Sequence, residues 1–409
     1  MSPPPTSHGR RADLDWLRIG ALGLLILYHV GLAYTPWDWH LNSRHRFAAM
    51  EEIILLTSPW RLTLLFLVSG AALRLMSRKY DSKAVLKARF ARLVPPLLFG
   101  TLILVPPQGW AETTAKDGYT GSVVDWWISE FSLKGWADGI PINHLWFVLY
   151  IGAYSLVAVA LLTRPGWIAA AEAWLERVLT GWKLLVLPIL YLAVVRQLLF
   201  PWFGLNNQIQ HDWYNHASSL GVFLFGFLVV GRPGVWDQLE RLRFVALPLA
   251  AVSVACLMAL HANAGGNLLF GSVKNGMFAV VQWTTVCAAL GFASRHLRAA
   301  DTPLKRYLND AIFPVYMAHQ TLLVLALFVL APRGLPAWIE VPLLSAITFS
   351  GSLLIYEAVR RFDLIRPLWG LKPRGPKPPP EPTPARLALM TAIRNDAAPV
   401  VEPAGARPA

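Results

Sequence analysis

The stretch Asp13-Leu-Asp-Trp-Leu-Arg-Ile-Gly-Ala-Leu-Gly-Leu-Leu-Ile-Leu-Tyr-His-Val-Gly-Leu-Ala-Tyr34 decides how this chain is read. It is long and apolar enough to cross a bilayer, which takes about 20 helical residues. Yet it carries Arg18 near one end and His29 deep inside. At about 100° per residue, the step from Arg18 to His29 makes about three full turns, so both side chains share a face roughly 16 Å apart along the axis. An ionisable residue in a spanning helix is costly, and it faces a bundle interior or a water-filled cavity. The stretch reads as one wall of a reaction path running into the membrane.

The rest of the composition agrees. The chain has 409 residues, 55% hydrophobic and only 15% charged, where a soluble domain carries about 25% charged residues. An all-α, polytopic integral membrane bundle follows, and the 18 Trp fit it because Trp collects at bilayer interfaces. Residues 1–12 are Pro-rich and polar with Arg10-Arg11, without the short apolar core and cleavage site of a signal peptide. They are expected to form a cytoplasmic tail ahead of a first helix retained as a signal anchor. A net charge of +13 would suit a nucleic-acid binder, but the basic residues sit in alternate loops and the C-terminal tail, as orientation signals do. No nucleic-acid partner is expected. Cys256 and Cys287 each lie in an apolar run and read as packing residues rather than a disulfide or metal framework.

Apolar runs of spanning length recur near 14–34, 53–76, 93–107, 144–163, 182–200, 217–231, 244–261, 273–294, 311–331 and 341–360. They predict about ten transmembrane helices within a membrane domain at 13–366. Arg74, Arg78, Lys79, Lys83, Lys87, Arg89 and Arg92 crowd the second connection. Segment 108–143 instead carries Glu112, Asp117, Asp125, Glu130 and Asp138. By the positive-inside rule both termini are cytoplasmic and 108–143 faces the periplasm or exterior. Residues 367–409, rich in proline from Lys372 to Pro384, are expected to be a disordered cytoplasmic tail.

Two groups of residues could carry chemistry. His29 reads as a general base or nucleophile with Arg18 on an anionic ligand, or as a structural hydrogen-bonding group with Arg18 snorkelling to the interface. Arg89-Phe-Ala-Arg92 places two guanidiniums as helical neighbours that would clamp a phosphate, or that simply anchor the helix end.

With these residues in view, the chain resembles the acyltransferase-3 family of integral membrane acyltransferases. The first helix with Arg18, ten intervening residues and His29 is similar to that family's signature, as is Arg89-Phe-Ala-Arg92 leading into the third span. Phe66-Leu-Val-Ser-Gly70, His144-Leu-Trp-Phe147 and Val315-Tyr-Met-Ala-His319 resemble its further motifs, especially in the branch that includes glucan succinyltransferases. The resemblance implies O-acyl transfer from cytoplasmic acyl-CoA to a hydroxyl of an extracytoplasmic acceptor, commonly a periplasmic or surface glycan, in a bacterial-type inner membrane. It implies that His29 is the catalytic histidine with Arg18 its partner, and that Arg89 and Arg92 bind the donor's phosphates. It implies acyl-CoA as a substrate and no permanently bound cofactor. The extra periplasmic domain of some members is not expected, so transfer would finish within the bundle.

Other polar residues are candidates of a lower order. His144 and Trp146, at the outer start of the fourth span, would meet an acceptor sugar, although an interfacial Trp is also expected there. His319 with Tyr316 one turn before it would face the cavity or make a structural hydrogen bond. Ser69 and Trp146 are candidate donors to a tetrahedral intermediate. Glu357 is expected to pair with a basic residue. His40 and His45, like His211 and His216, are five apart in expected outer loops, which does not put two ligands on one helical face, so no metal site is predicted. A rival reading with the same architecture is a transporter or flippase in which Arg18 and His29 handle a moving substrate or proton, and a third is a bundle that binds without catalysis.

Overall fold

The computed structural model describes residues 11–132, 139–263 and 268–374. The expected N-terminal tail, apart from Arg11 and Ala12, and residues 375–409 lie outside them, as does Asp138 of the acidic segment. The bundle lies within the unit Met1–Lys372.

Within that unit the helices are α1 (Ala12–Leu32), α2 (Ala49–Leu55), α3 (Ser58–Ser77), α4 (Ser82–Asp117), α5 (Val123–Glu130), α6 (Asn143–Leu162), α7 (Pro165–Val178), α8 (Lys183–Phe203), α9 (213–229), α10 (Pro233–Ala262), α11 (Leu268–Leu297), α12 (Pro303–Leu330) and α13 (Ala337–Val359). Nine helical stretches among the described residues are long and apolar enough to cross a membrane. The run expected at 217–231 supplies the difference from ten: it folds as α9, whose length of about 17 residues sits at the lower edge of what spans. His216, expected in a loop, belongs to this helix.

The helix ends follow local chemistry. Asp81 caps α4 by accepting from the Ala84 amide at 2.7 Å, Thr302 caps α12 through the Lys305 amide, and Ser122 and Asp125 form a capping box at α5. The donors of this box hold the Asp125 carboxyl below its usual range. Proline opens α3, α7, α10 and α12 within the first turn, where a missing N–H costs nothing.

α1 is the central helix, packed against α3, α11, α12 and α13. Its start at Ala12 lies two residues earlier than the apolar run suggests. Arg11 is buried, its guanidinium paired with Asp13 at 2.6 Å and stacked 3.6 Å over the Trp236 ring. α3 and α9 touch backbone to backbone. A Cβ on Gly70 would fall 1.9 Å from the Phe223 carbonyl oxygen, and one on Gly226 would fall 2.0 Å from that of Leu67. In a bilayer, where lipid is as apolar as leucine, such small-residue contact is what holds helices together. This explains Gly70 at the end of the Phe66–Gly70 motif.

α4 runs past the expected end of its span, so Glu112 and Asp117 are helical rather than in a loop. Midway it makes a π-turn over Gly100–Leu104, closed by Val105 N–H to Gly100 C=O at 2.9 Å. Pro106 and Pro107 follow and have no N–H to return, which leaves carbonyls of this turn unpaired by the helix. Trp127 donates its indole N–H to the Leu102 carbonyl at 2.7 Å, and Thr321 of α12 donates to that of Leu104 at 2.8 Å. The irregular turn therefore locks α4 onto α12. At the far end the chain stays ordered beyond Arg366. A short 3-10 turn over Arg366–Trp369 buries Trp369 against Phe99 of α4, ring centroids 5.4 Å apart.

Candidate active site

His29 of α1, His319 of α12 and His144 of α6 meet in the bundle. Their proton positions follow from the carbonyls beside them, because a carbonyl can only accept. His319 is fully buried, and its Nδ1 lies 2.5 Å from the Tyr316 carbonyl, so Nδ1 carries the proton and Nε2 the lone pair. His29 Nδ1 lies 3.0 Å from that Nε2 and must donate to it. The lone pair of His29 is thereby placed on Nε2, which has no hydrogen-bond partner among the described residues. By the same logic His144 donates from Nε2 to the Met317 carbonyl at 3.1 Å, leaving its buried Nδ1 an unpaired acceptor. Tyr316 donates its hydroxyl to the His144 carbonyl and fastens α12 to the start of α6. Four of the candidate residues are thus one connected unit.

A cavity of about 580 Å³ opens beside it. His29, His144, Trp146 and Tyr316 line it, together with Tyr28, Arg61 and Leu65. Its outer part is bordered by Trp39, Asn143 and the loop residues Asn206, Asn207 and Gln208. Trp39 stacks on the His29 ring at 6.3 Å between centroids. Polar amides beside indole rings suit a ligand that presents hydroxyls on one edge and C–H on its faces.

Several residues of this site escaped the sequence reading. Arg61 is 2% exposed, lies within the span formed by α3, and has its Cζ 3.8 Å over the Tyr28 ring. The rule that singles out His29, an ionisable group in an apolar run, applies to it equally. The sequence marks His40 only as half of a histidine pair with the wrong spacing for a metal. Here it lines the cavity, donates from Nδ1 to Glu112 at 2.5 Å and accepts from the Gln320 amide at 3.0 Å. Gln320 also donates to Gln108 Oε1 at 3.2 Å, as does Asn143 at 3.1 Å, and Gln108 donates to Thr321 at 2.7 Å. Lys116 carries the network outward to Asp38 at 2.8 Å. That hydrogen bond holds the exposed Asp38 carboxyl below its usual range. Neutral amides gave no sequence signal, because only the fold brings α4, α6 and α12 together.

The arginines lie elsewhere. Arg18, Arg89 and Arg92 do not border the cavity. Arg18 donates to Asn309 of α12 and to Asp15 at 3.4 Å, and Lys305 pairs with Asp15 at 3.1 Å. Arg89 donates to the Ser69 carbonyl at 3.2 Å and lies within Coulombic reach of Arg18 and Arg92. The three cations therefore form a basic group at the opposite ends of α1, α3 and α4 from the cavity. Arg18 shares α1 with His29 without touching its site. Ser69 does not reach the cavity either: its hydroxyl donates to the Leu65 carbonyl at 2.8 Å. The turn from Leu65 to Ser69 thus meets the cavity at Leu65 and Arg89 at the Ser69 carbonyl. Glu357 pairs with Arg360 at 3.0 Å, as expected.

Comparison with known proteins fits this architecture. A family model described as an acyltransferase domain, that of acyltransferase-3, matches residues 11–357. "Glucans biosynthesis protein C" of Escherichia coli (strain K12) is 21% identical over 389 residues, covering 91% of this chain and 97% of the relative. The protein of the same name from Escherichia coli O6:K15:H31 (strain 536 / UPEC) matches to the same extent. No solved structure matches the chain. With the family model spanning nearly the whole bundle, the chain belongs to the acyltransferase-3 family and is a multi-pass membrane acyltransferase.

Proposed function

We propose that the protein moves an acyl group from acyl-CoA on the cytoplasmic side to a hydroxyl of an extracytoplasmic glycan, within a bacterial-type inner membrane and with both termini cytoplasmic. The observation that carries this reading is the imidazole pair that leaves the lone pair of His29 on Nε2 beside the cavity. A neutral imidazole so arranged is a general base. The acceptor hydroxyl gives its proton to Nε2 as its oxygen adds to the thioester carbonyl carbon. The carbon–sulfur bond then breaks, and the leaving thiolate takes the proton. No net proton is consumed, which suits a site walled by apolar helices.

The basic group of Arg18, Arg89 and Arg92 supports a donor with a polyanionic head, since guanidinium forks match phosphate. The thioester arm would pass the Leu65–Ser69 turn to reach His29. Trp39, Trp146 and the amides of Asn143 and Asn206–Gln208 support a sugar acceptor. The glucan-related name of the relatives points to the same class.

Mass spectrometry of envelope glycans from cells carrying the wild type, His29→Ala or no protein tests the reading. The expected result is an acyl mass increment on a glycan with the wild type only. Unchanged glycans, lipids and exported metabolites in all three would overturn it. Loss of export without any acylated product would favour a transporter instead.

A further inference from the structure

Arg61 is a cation with no anionic partner among the described residues, in the one place where a reaction would create an anion. Its side-chain partners are Thr57, which accepts from Nη1 at 3.2 Å, and Tyr28, which offers its ring face and accepts a hydrogen bond at its hydroxyl oxygen. Its Nε is buried with no acceptor, although a guanidinium has five N–H groups to satisfy. It borders the same cavity as His29 and lies within Coulombic reach of that ring. The buried cations Arg11 and Lys305, by contrast, each meet a carboxylate, Asp13 at 2.6 Å and Asp301 at 2.8 Å, and buried Arg196, which lies outside the cavity lining, spends its Nε and Nη1 on Asn275 and Tyr214. A buried charge on a cavity wall with no counter-ion and an unsatisfied donor is placed to receive an anionic ligand.

We infer that Arg61 is the oxyanion-binding residue of the transfer, an assignment that rests on the acyl-transfer reading above. When the acceptor oxygen adds to the thioester carbon, the carbonyl π electrons move onto its oxygen while His29 Nε2 takes the hydroxyl proton. Arg61 donates to that oxygen. As the carbonyl re-forms and the carbon–sulfur bond breaks, the charge leaves Arg61 for the thiolate, which takes the proton from His29. Ser69 cannot serve, since its hydroxyl is engaged with Leu65 and lies outside the cavity. The cation–π contact with Tyr28 and the bond to Thr57 keep the guanidinium oriented before substrate arrives, which is what such stabilisation requires.

The test uses purified full-length protein in nanodiscs with acetyl-CoA and succinyl-CoA as donors. Arg61→Gln is expected to lower kcat by about 10²–10³-fold with either donor, with KM for the donor within about threefold. Arg61→Lys should recover part of the loss. A loss confined to succinyl-CoA and carried by KM would overturn the assignment, because Arg61 would then hold the fixed carboxylate of the acyl group. An unchanged kcat would overturn it too. A second readout needs no turnover: methylphosphonate, a tetrahedral anion, should raise the melting temperature of the wild type and His29→Ala but not of Arg61→Gln. Equal stabilisation of all three would overturn the assignment. Absence of any ester from the wild type, with that melting pattern intact, would instead sink the acyl-transfer reading and leave an anion site at Arg61.

Discussion

At the residue scale the site is a problem of where protons sit. His319, fixed by a carbonyl, compels His29 to hold its own proton on Nδ1, which is what the proposed transfer needs. Replacing His29 with alanine should remove transfer by about 10²–10⁴-fold in kcat, the usual weight of a general base, while acyl-CoA binding persists. In the proposed transfer His319 would act through its partner. His319→Leu should lower kcat more than His319→Gln, because a glutamine carbonyl can still accept from Nδ1 of His29; steady-state kinetics of the pair would show it. Equal losses would mean that His319 only fills space. At the other group, Arg89→Gln should raise KM for acyl-CoA by about 10–100-fold, the worth of one charge-assisted hydrogen bond, with kcat little changed. The histidines were legible because each is an ionisable group in an apolar run. Arg61 carries the same mark but sits near the end of its apolar run, while Gln108, Gln320 and Asn143 carry no charge to betray them.

At the scale of elements, the bundle depends on a few backbone contacts that composition cannot reveal. The reciprocal approach of Gly70 and Gly226 leaves no room for a methyl group. Gly70→Ala and Gly226→Ala should each destabilise by about 1–3 kcal/mol, read as earlier thermal unfolding in detergent. Because they share one interface, the double variant should depart from the sum of the singles. The Phe66–Gly70 motif, read from sequence as a possible oxyanion donor at Ser69, turns out to be a packing device with Ser69 bonded back along its own helix. Span boundaries were readable from apolar runs where helices end in polar loops. They were misjudged at α4, whose polar outer turns stay helical because Glu112 and Gln108 have partners on other elements.

At the scale of the whole molecule, a polytopic α-helical bundle follows from composition alone. The arrangement inside it does not. The resemblance makes Arg18 the partner of His29 on one helix, yet Arg18 lies with Arg89 away from the cavity, and the histidine finds its contacts on α6 and α12. Residues nearly 300 apart in sequence meet there, and no local pattern encodes such a meeting. The proposed topology is open to a direct check. Single cysteines placed in the connection 33–48 or at 204–212 should react with an impermeant maleimide from outside whole cells or spheroplasts. Those placed at 79–81 or 298–302 should react only after lysis. The reverse pattern would invert the orientation and, with it, the side from which the donor is drawn.

The π-turn at Gly100–Leu104 has one more consequence. Such a turn holds an extra residue, so everything after it is out of phase with the helix before it by about 100°. That offset aims Gln108 at Thr321 and Glu112 at His40. Deleting a single residue between Thr101 and Ile103 would restore the regular screw and swing both side chains off their partners together. Such a deletion should silence the enzyme more thoroughly than any substitution in the same turn, since it misdirects a whole helical face at once.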